Sequence, residues 1–118
     1  MLCCQIIINR YYRDHTIELS DTKFVLEEIL KVSSTSIEDR RTVKRVCELV
    51  GTRAARLSAA GVAAVVTKMN RLDGCTVAID GSLFEHYPHF GNRMRDALRE
   101  ILGINAENIV LAQGLFYC

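Results

Sequence analysis

The chain has 118 residues, of which 49% are hydrophobic and 25% are charged; this composition allows a folded domain with its own core and excludes a disordered tail. Fifteen lysines and arginines against fourteen acidic residues leave a formal net charge of +1, so neither nucleic acid nor an acidic membrane is an expected partner. The five cysteines are scattered without a C-x-x-C pair, which argues against disulfides or zinc and favours a cytoplasmic protein.

The first twenty residues predict one strand followed by a loop, because charged side chains follow the apolar run at residues 6–8. This segment lacks the basic region and the cleavage site of a signal peptide. The longest apolar run, at residues 57–66, is too short to cross a bilayer. We therefore expect no membrane association, and we treat residues 1–20 as a divergent or non-native segment ahead of a domain at residues 21–118.

Two helix starts are predicted next. Asp21 can cap a short helix that runs to Lys31, because its carboxylate can accept a hydrogen bond from the first turn. Ser36 and Asp39 form a capping-box pattern, in which each side chain bonds the backbone of the other residue. The second helix is therefore expected to begin directly after Ser36.

Helical spacing then continues to about Asn70. Residues 54–66 are apolar nearly all round, which predicts a buried helix, and their small side chains would let it lie close to a neighbouring element. A glycine weakens a helix interior by about 1 kcal/mol relative to alanine. We therefore expect a kink or a junction near Gly51.

A strand, a helix and a second strand follow the long helix. The turn at residues 71–74 leads into a strand at residues 75–79, and Pro88 then opens a helix that ends at Gly103. A second strand is predicted at residues 109–112. Such a unit builds parallel pairing, so the predicted fold class is α/β.

The end of the first strand carries the most informative residues of the chain. An acid, a glycine and a hydroxyl, Asp80, Gly81 and Ser82, stand between the apolar strand and a new helix. Ligands of α/β folds bind at the carboxyl ends of strands, where a glycine lets the backbone approach closely. The alternative is an ordinary turn in which Asp80 or Ser82 bonds local backbone.

Three segments together resemble the hexokinase family, nearest to the fungal glucokinase type. They are residues 40–66, which include Gly-Thr-Arg-Ala-Ala at residues 51–55, the segment at residues 79–84, and Tyr-Pro-His-Phe at residues 87–90. The resemblance covers residues 36–112. It implies the actin-like, ribonuclease-H-like architecture, with a long buried helix followed by the βαβ unit. Residues 21–118 would then be the carboxyl-terminal part of the large domain.

The resemblance also implies an activity, the transfer of the γ-phosphoryl group of ATP, which carries Mg²⁺, to the 6-hydroxyl of glucose or another hexose. Asp80, Gly81, Ser82, Leu83 and Phe84 match the positions that hold the adenosine part of ATP. Thr22 resembles a nucleotide-contacting threonine of the family, but the short helix aligns in a second way. In that case, Thr22 is simply a first-turn helix residue.

Several functional parts of the family have no counterpart in the sequence. No segment resembles its catalytic carboxylate, sugar site or first phosphate loop, and Gln113 and Gly114 begin the segment where a glycine-rich Asp-Gly-Ser-Gly loop would follow the last strand. We expect a fragment truncated at both ends and inactive alone. The alternatives are a non-catalytic nucleotide-binding or regulatory fragment, and a decayed product whose exposed apolar face causes self-association.

The other charged groups predict structure rather than chemistry. Arg53 and Arg56 are expected to form structural ion pairs, because charges near a buried face need partners. His86 and His89 have the spacing of metal ligands, but without a third ligand nearby we expect no metal. A basic cluster is expected to be a solvated helix face; it consists of Arg40, Arg41, Lys44 and Arg45.

Overall fold

The computed structural model describes residues 14–114, which belong to two compact units divided between Val50 and Gly51. The strand predicted at residues 6–8 lies outside the described residues, as do Cys3, Cys4 and Cys118.

The first unit is built on a short helical segment. Helix α1 (Ser20–Phe24) passes directly into a π-helical turn at Val25–Ile29. Val25 and Leu26 are buried and form a small apolar cluster with Ile29 and Val43. The predicted cap at Asp21 is wrong, because α1 already begins at Ser20 and its N-cap residue is Leu19, whose side chain makes no capping hydrogen bond.

Helix α2 (Ile37–Lys68) starts at the predicted capping box. The Asp39 backbone N–H donates to Ser36 Oγ at 3.1 Å, and the Ser36 backbone N–H and hydroxyl donate to Asp39 Oδ2 at 2.9 and 2.8 Å. These hydrogen bonds hold the pKa of Asp39 below its usual value. The box satisfies donors that the first turn of a helix otherwise leaves unpaired.

Replacing Ser36 with alanine should lower the free energy of unfolding by about 1 kcal/mol, the usual cost of losing a serine cap. Urea titration followed by far-UV circular dichroism measures the change. Ser34→Ala is the matched control, because Ser34 is exposed and lies ahead of the helix. Equal stability of the two variants would contradict a structural role for the box.

Helix α2 is continuous over 32 residues, so the break predicted near Gly51 is wrong. Gly51 is buried, and the ring of Tyr87 occupies the space beside its Cα. A Cβ atom at this position would lie 2.1 Å from Tyr87 Oη and 2.3 Å from Tyr87 Cζ. Gly51 therefore permits a close contact with Tyr87 within a continuous helix.

Burial along the rest of α2 follows a single stripe. Four small or apolar residues repeat every three or four positions on it; they are Ala55, Ala59, Ala63 and Val66. Leu57 and Val65, by contrast, are more than half exposed. The all-round burial expected of residues 54–66 is thus confined to one face of the helix.

Among residues 14–114, α2 is the one helix that is long and apolar enough to cross a membrane. The core helix of a protein without a membrane span can meet the same criterion, and α2 contributes a buried stripe to this fold. Its length and composition are therefore weak support for a membrane span.

The second unit contains the predicted βαβ arrangement. Strands β1 and β2 pair in parallel, with Cys75 opposite Ile109 and Ile79 opposite Gln113. Two helices and a 3-10 turn at Gly103–Asn108 connect them. The elements are β1 (Cys75–Ile79), α3 (Ser82–His86), α4 (Phe90–Leu102) and β2 (Ile109–Gln113).

Helix α4 supplies much of the core of this unit. Its buried residues lie on one face; they are Phe90, Met94, Ala97 and Leu98. Ile101, predicted on the same face, is half exposed. The helix begins two residues after Pro88, and Gly103 ends it with a positive φ of 59°, as predicted for a glycine cap.

Candidate functional site

The candidate site lies at the carboxyl edge of the two-stranded sheet. Because β1 and β2 are parallel and Ile79 pairs with Gln113, the chain leaves both strands at the same edge. The Gly114 N–H donates to the Ile79 carbonyl at 2.9 Å and extends this pairing beyond β2. The end of β1 is therefore held firmly where the loop to α3 begins.

The strand-end loop consists of Asp80, Gly81 and Ser82. Gly81 has φ 144° and ψ 142°, a conformation that residues with a side chain rarely adopt. No heavy atom lies within 4 Å of the position that a Cβ would occupy there. Gly81 is thus required by the backbone conformation, and its surroundings are open to a ligand.

Asp80 and Ser82 are both exposed. Within residues 14–114 neither side chain makes a hydrogen bond or an ion pair, and no side chain caps α3. The alternative interpretation, a turn held by Asp80 or Ser82 on local backbone, requires bonds that this part of the chain does not form. A carboxylate and a hydroxyl therefore flank an open glycine.

The next two residues differ in their surroundings. Leu83 is half exposed. Phe84 is partly buried, and its ring lies against Gly91 of α4, since a Cβ on Gly91 would be 3.3 Å from Phe84 Cε2. The five residues predicted to hold adenosine thus lie on one continuous loop and helix start. Their contact with a nucleotide stays a prediction.

Thr22, the sixth predicted residue, lies in the other unit and is completely buried. Its backbone N–H and its hydroxyl donate to Asp14 Oδ2 at 2.8 and 3.1 Å. This arrangement favours its interpretation as a first-turn helix residue, and its contact with a nucleotide stays a prediction.

Asp14 is the buried centre of this network, with 1% of its surface exposed. Oδ1 accepts hydrogen bonds from the Thr16 backbone N–H at 3.2 Å and from the Thr16 hydroxyl at 2.6 Å. Burial raises the pKa of Asp14, but the hydrogen bonds from Thr16 and Thr22 outweigh burial and lower the pKa overall. Sequence reasoning missed this residue, although an aspartate two residues before a threonine is a recognisable turn pattern.

Part of the basic cluster is structural rather than solvated. Arg40 donates to the carbonyls of Thr35 and Glu18 at 2.7 and 2.9 Å, and Lys44 donates to the Asp14 carbonyl. These residues are partly buried, whereas Arg41 is exposed, as predicted. The prediction of a fully solvated face is therefore wrong for Arg40 and Lys44.

The sequence also singles out two arginines and two histidines. Arg56 forms the predicted structural pair, a bidentate contact with Glu100 in which one N–O distance is 3.0 Å, whereas Arg53 is exposed. His86 Nε2 lies 3.4 Å from Glu85 Oε2, and His89 has a left-handed backbone conformation just before α4. No group of three or more potential metal ligands occurs among the described residues.

Comparison with known proteins gives one consistent family. A family model described as "Hexokinase" matches residues 5–113 and so begins ahead of the boundary drawn at residue 20. Hexokinase-1 of Oryza sativa subsp. japonica is 43% identical over 112 residues, which cover 88% of this chain and 22% of that protein. The hexokinase of Emericella nidulans is 49% identical over 84 residues, 71% of this chain and 17% of that protein.

Solved structures agree with this assignment. The hexokinase of Schistosoma mansoni, solved in complex with glucose, is 31% identical, with a TM-score of 0.76 over 92% of this chain and 23% of that chain. The predicted fold, part of an actin-like α/β domain, is confirmed. The chain spans about a fifth of the length of the curated relatives it matches.

Proposed function

Because the chain belongs to the hexokinase family, we propose that it is part of a phosphotransferase that phosphorylates glucose or another hexose at the 6-hydroxyl with ATP. This segment supplies part of the surface for the adenosine half of the nucleotide. The observation that carries the proposal is the strand-end loop, where an open glycine backbone separates a carboxylate and a hydroxyl that have no partner among residues 14–114. The glucose-bound structure of a relative supports a hexose as the substrate.

The chemistry of these residues fits a nucleoside. The Asp80 carboxylate can accept hydrogen bonds from ribose hydroxyls, and the Ser82 hydroxyl can donate to a ribose or phosphate oxygen. Leu83, half exposed, offers an apolar surface to a base. The loop holds a single carboxylate, which suits a sugar hydroxyl better than a protein-held metal, so Mg²⁺ would arrive with ATP.

Bound MgATP supplies the phosphoryl group, whereas this chain positions the nucleoside. The β1–β2 pairing and the Gly114 to Ile79 hydrogen bond fix where the loop begins. A donor and an acceptor held on a fixed backbone orient a ligand more effectively than the same groups on a mobile loop.

Replacing Ser82 with alanine should weaken MgATP binding by about tenfold at most, the loss expected for one neutral hydrogen bond. Isothermal titration calorimetry on the 118-residue chain measures the dissociation constant. Ser34→Ala is the control, because it removes an exposed serine hydroxyl from the other unit. Absence of ATP binding by the parent chain would contradict the proposal.

The same preparation is expected to form no ADP from MgATP and glucose. Phosphoryl transfer to a hydroxyl needs a positioned base, and no segment of the sequence resembles the catalytic carboxylate of the family. ADP formation that depends on glucose, and that falls in Ser82→Ala in step with its weaker MgATP binding, would show that the activity belongs to this chain and that the chain carries the base. ATP binding without turnover is the result expected here, and it is also compatible with the second candidate, a non-catalytic nucleotide-binding segment.

A further inference from the structure

The strand-end loop continues into a helix that is too short to hold its own orientation. Helix α3 has five residues, and isolated helices of that length are unstable in water. The N–H groups of Phe84 and Glu85 donate to the Gly81 carbonyl at 3.1 and 3.3 Å, so loop and helix are joined through the backbone. Contacts between α3 and longer elements must therefore set the direction of the loop.

The first contact joins Phe84 to Gly91. The ring of Phe84 is close enough to the Gly91 Cα that an added methyl group would lie 3.3 Å from Cε2 and 3.5 Å from Cζ. Gly91 lies within α4 with no positive φ, so the backbone there does not itself require glycine. A methyl group at this position would press on the Phe84 ring, which would have to shift by a few tenths of an ångström to make room for it.

The second contact lies one residue beyond α3. Tyr87 is 8% exposed, its ring covers Gly51 of α2, and it packs edge-to-face on Phe90 with ring centroids 6.1 Å apart. The Tyr87 N–H also donates to the Leu83 carbonyl at 3.0 Å. Helix α3 is therefore held by two aromatic rings, each placed on a glycine of a longer helix.

We propose that Phe84 is a positioning residue for the nucleotide, which acts by holding the strand-end loop through its contact with Gly91 and does not itself touch the base. The inference rests on the proposed function of the loop. It assigns to Phe84 a role through packing, in place of the direct contact that its place in the motif predicts. It also assigns Gly91, which no motif singled out, to the support of the site.

The test changes the contact between Phe84 and Gly91 and leaves the residues of the strand-end loop unchanged. Gly91→Ala places a methyl group against the Phe84 ring, and Gly91→Ala/Phe84→Leu makes room for it again. Gly61→Ala is the matched control, because it adds a methyl to a helix where no atom lies within 4 Å. For each variant we would measure the dissociation constant of MgATP by calorimetry and the backbone amide chemical shifts of Gly81 and Ser82 by NMR.

If Phe84 positions the loop, Gly91→Ala weakens MgATP binding by about three- to tenfold, because small displacements of positioning groups carry large penalties. Its Gly81 and Ser82 amide shifts move, the double variant returns both readouts to within about twofold of the parent, and Gly61→Ala changes neither. Unchanged affinity and shifts in Gly91→Ala would overturn the proposal. A double variant that binds more weakly than Gly91→Ala would also overturn it, since it would mean that Phe84 contacts the nucleotide directly.

Failure of the proposed function gives a different result. If the parent chain does not bind MgATP, the amide shifts alone decide the role of Phe84. Shifts that move in Gly91→Ala and return in the double variant uphold the positioning contact. Shifts that stay unchanged in both variants overturn it.

Discussion

Replacing Gly51 with alanine should destabilise the second unit by about 1–3 kcal/mol, although alanine normally stabilises a helix interior by about 1 kcal/mol. The reason is the Tyr87 ring, whose Oη, Cζ and Cε1 atoms would lie 2.1 to 2.6 Å from the new methyl group. Tyr87 is almost completely buried and packs on Phe90, so it cannot move aside without opening the core. Urea titration followed by tyrosine fluorescence measures the effect.

Gly61→Ala makes the same substitution in the same helix and should have the opposite sign. No heavy atom lies within 4 Å of its added methyl group, and Gly61 is exposed. We expect a gain of about 0.5–1 kcal/mol from helix propensity alone. Equal effects of the two substitutions would show that Tyr87 does not limit the space at Gly51.

The Tyr87→Ala background separates crowding from helix propensity. Without the ring, Gly51→Ala should become neutral or stabilising, so the two substitutions should be strongly non-additive. Simple additivity in the double variant would place the cause of the destabilisation elsewhere in α2.

The features that sequence reasoning predicted correctly are mostly local. The capping box joins residues three apart, and the parallel pairing of β1 with β2 follows from a short strand-helix-strand unit. Both depend on neighbours that a short stretch of sequence already contains. The family assignment also depends on ordered short motifs, and the comparisons confirm it.

The errors come from contacts between residues far apart in the chain. Helix propensity alone predicts a break at Gly51. The actual reason for a glycine there is the space that the Tyr87 ring occupies, and Tyr87 lies far away in the sequence. Burial on α2 depends on which elements cover it, and composition around the helix cannot show that only the stripe containing Ala55 and Ala59 is covered. Tertiary packing overrides local preference in both cases.

The candidate site also contains residues that local sequence predicts and residues that it does not. Asp80, Gly81 and Ser82 could be singled out because an abrupt change from apolar to polar residues marks a strand end. Gly91 could not, since its importance depends on the Phe84 ring that lies on it. Short motifs predict which groups would meet a ligand, whereas the residues proposed to hold those groups in place become visible only in the folded chain.

Replacing Asp14 with asparagine should destabilise the first unit by about 3 kcal/mol at neutral pH, because hydrogen bonds to a buried charged acceptor are strong. The Thr22 N–H and hydroxyl both donate to Oδ2, and an amide nitrogen at that position cannot accept them. Thr22 is completely buried, so water cannot replace the lost acceptor without a rearrangement. Hydrogen exchange at the Thr22 amide measures the loss directly, and Glu18→Gln, at an exposed acid of the same unit, is the control for the change in charge.

Asp14→Asn should also change how the stability of the chain depends on pH. The folded chain lowers the pKa of Asp14 from its ordinary value of 3.8, so the charged form is favoured by folding. The contribution of the Asp14 carboxylate to the free energy of unfolding is therefore fully present above about pH 4, and it is lost as the pH falls through the pKa of Asp14 in the folded chain. The difference in free energy of unfolding between the parent chain and Asp14→Asn should therefore shrink as the pH falls below about 4. A difference that stays constant down to pH 2 would mean that the Asp14 carboxylate is not the group that titrates.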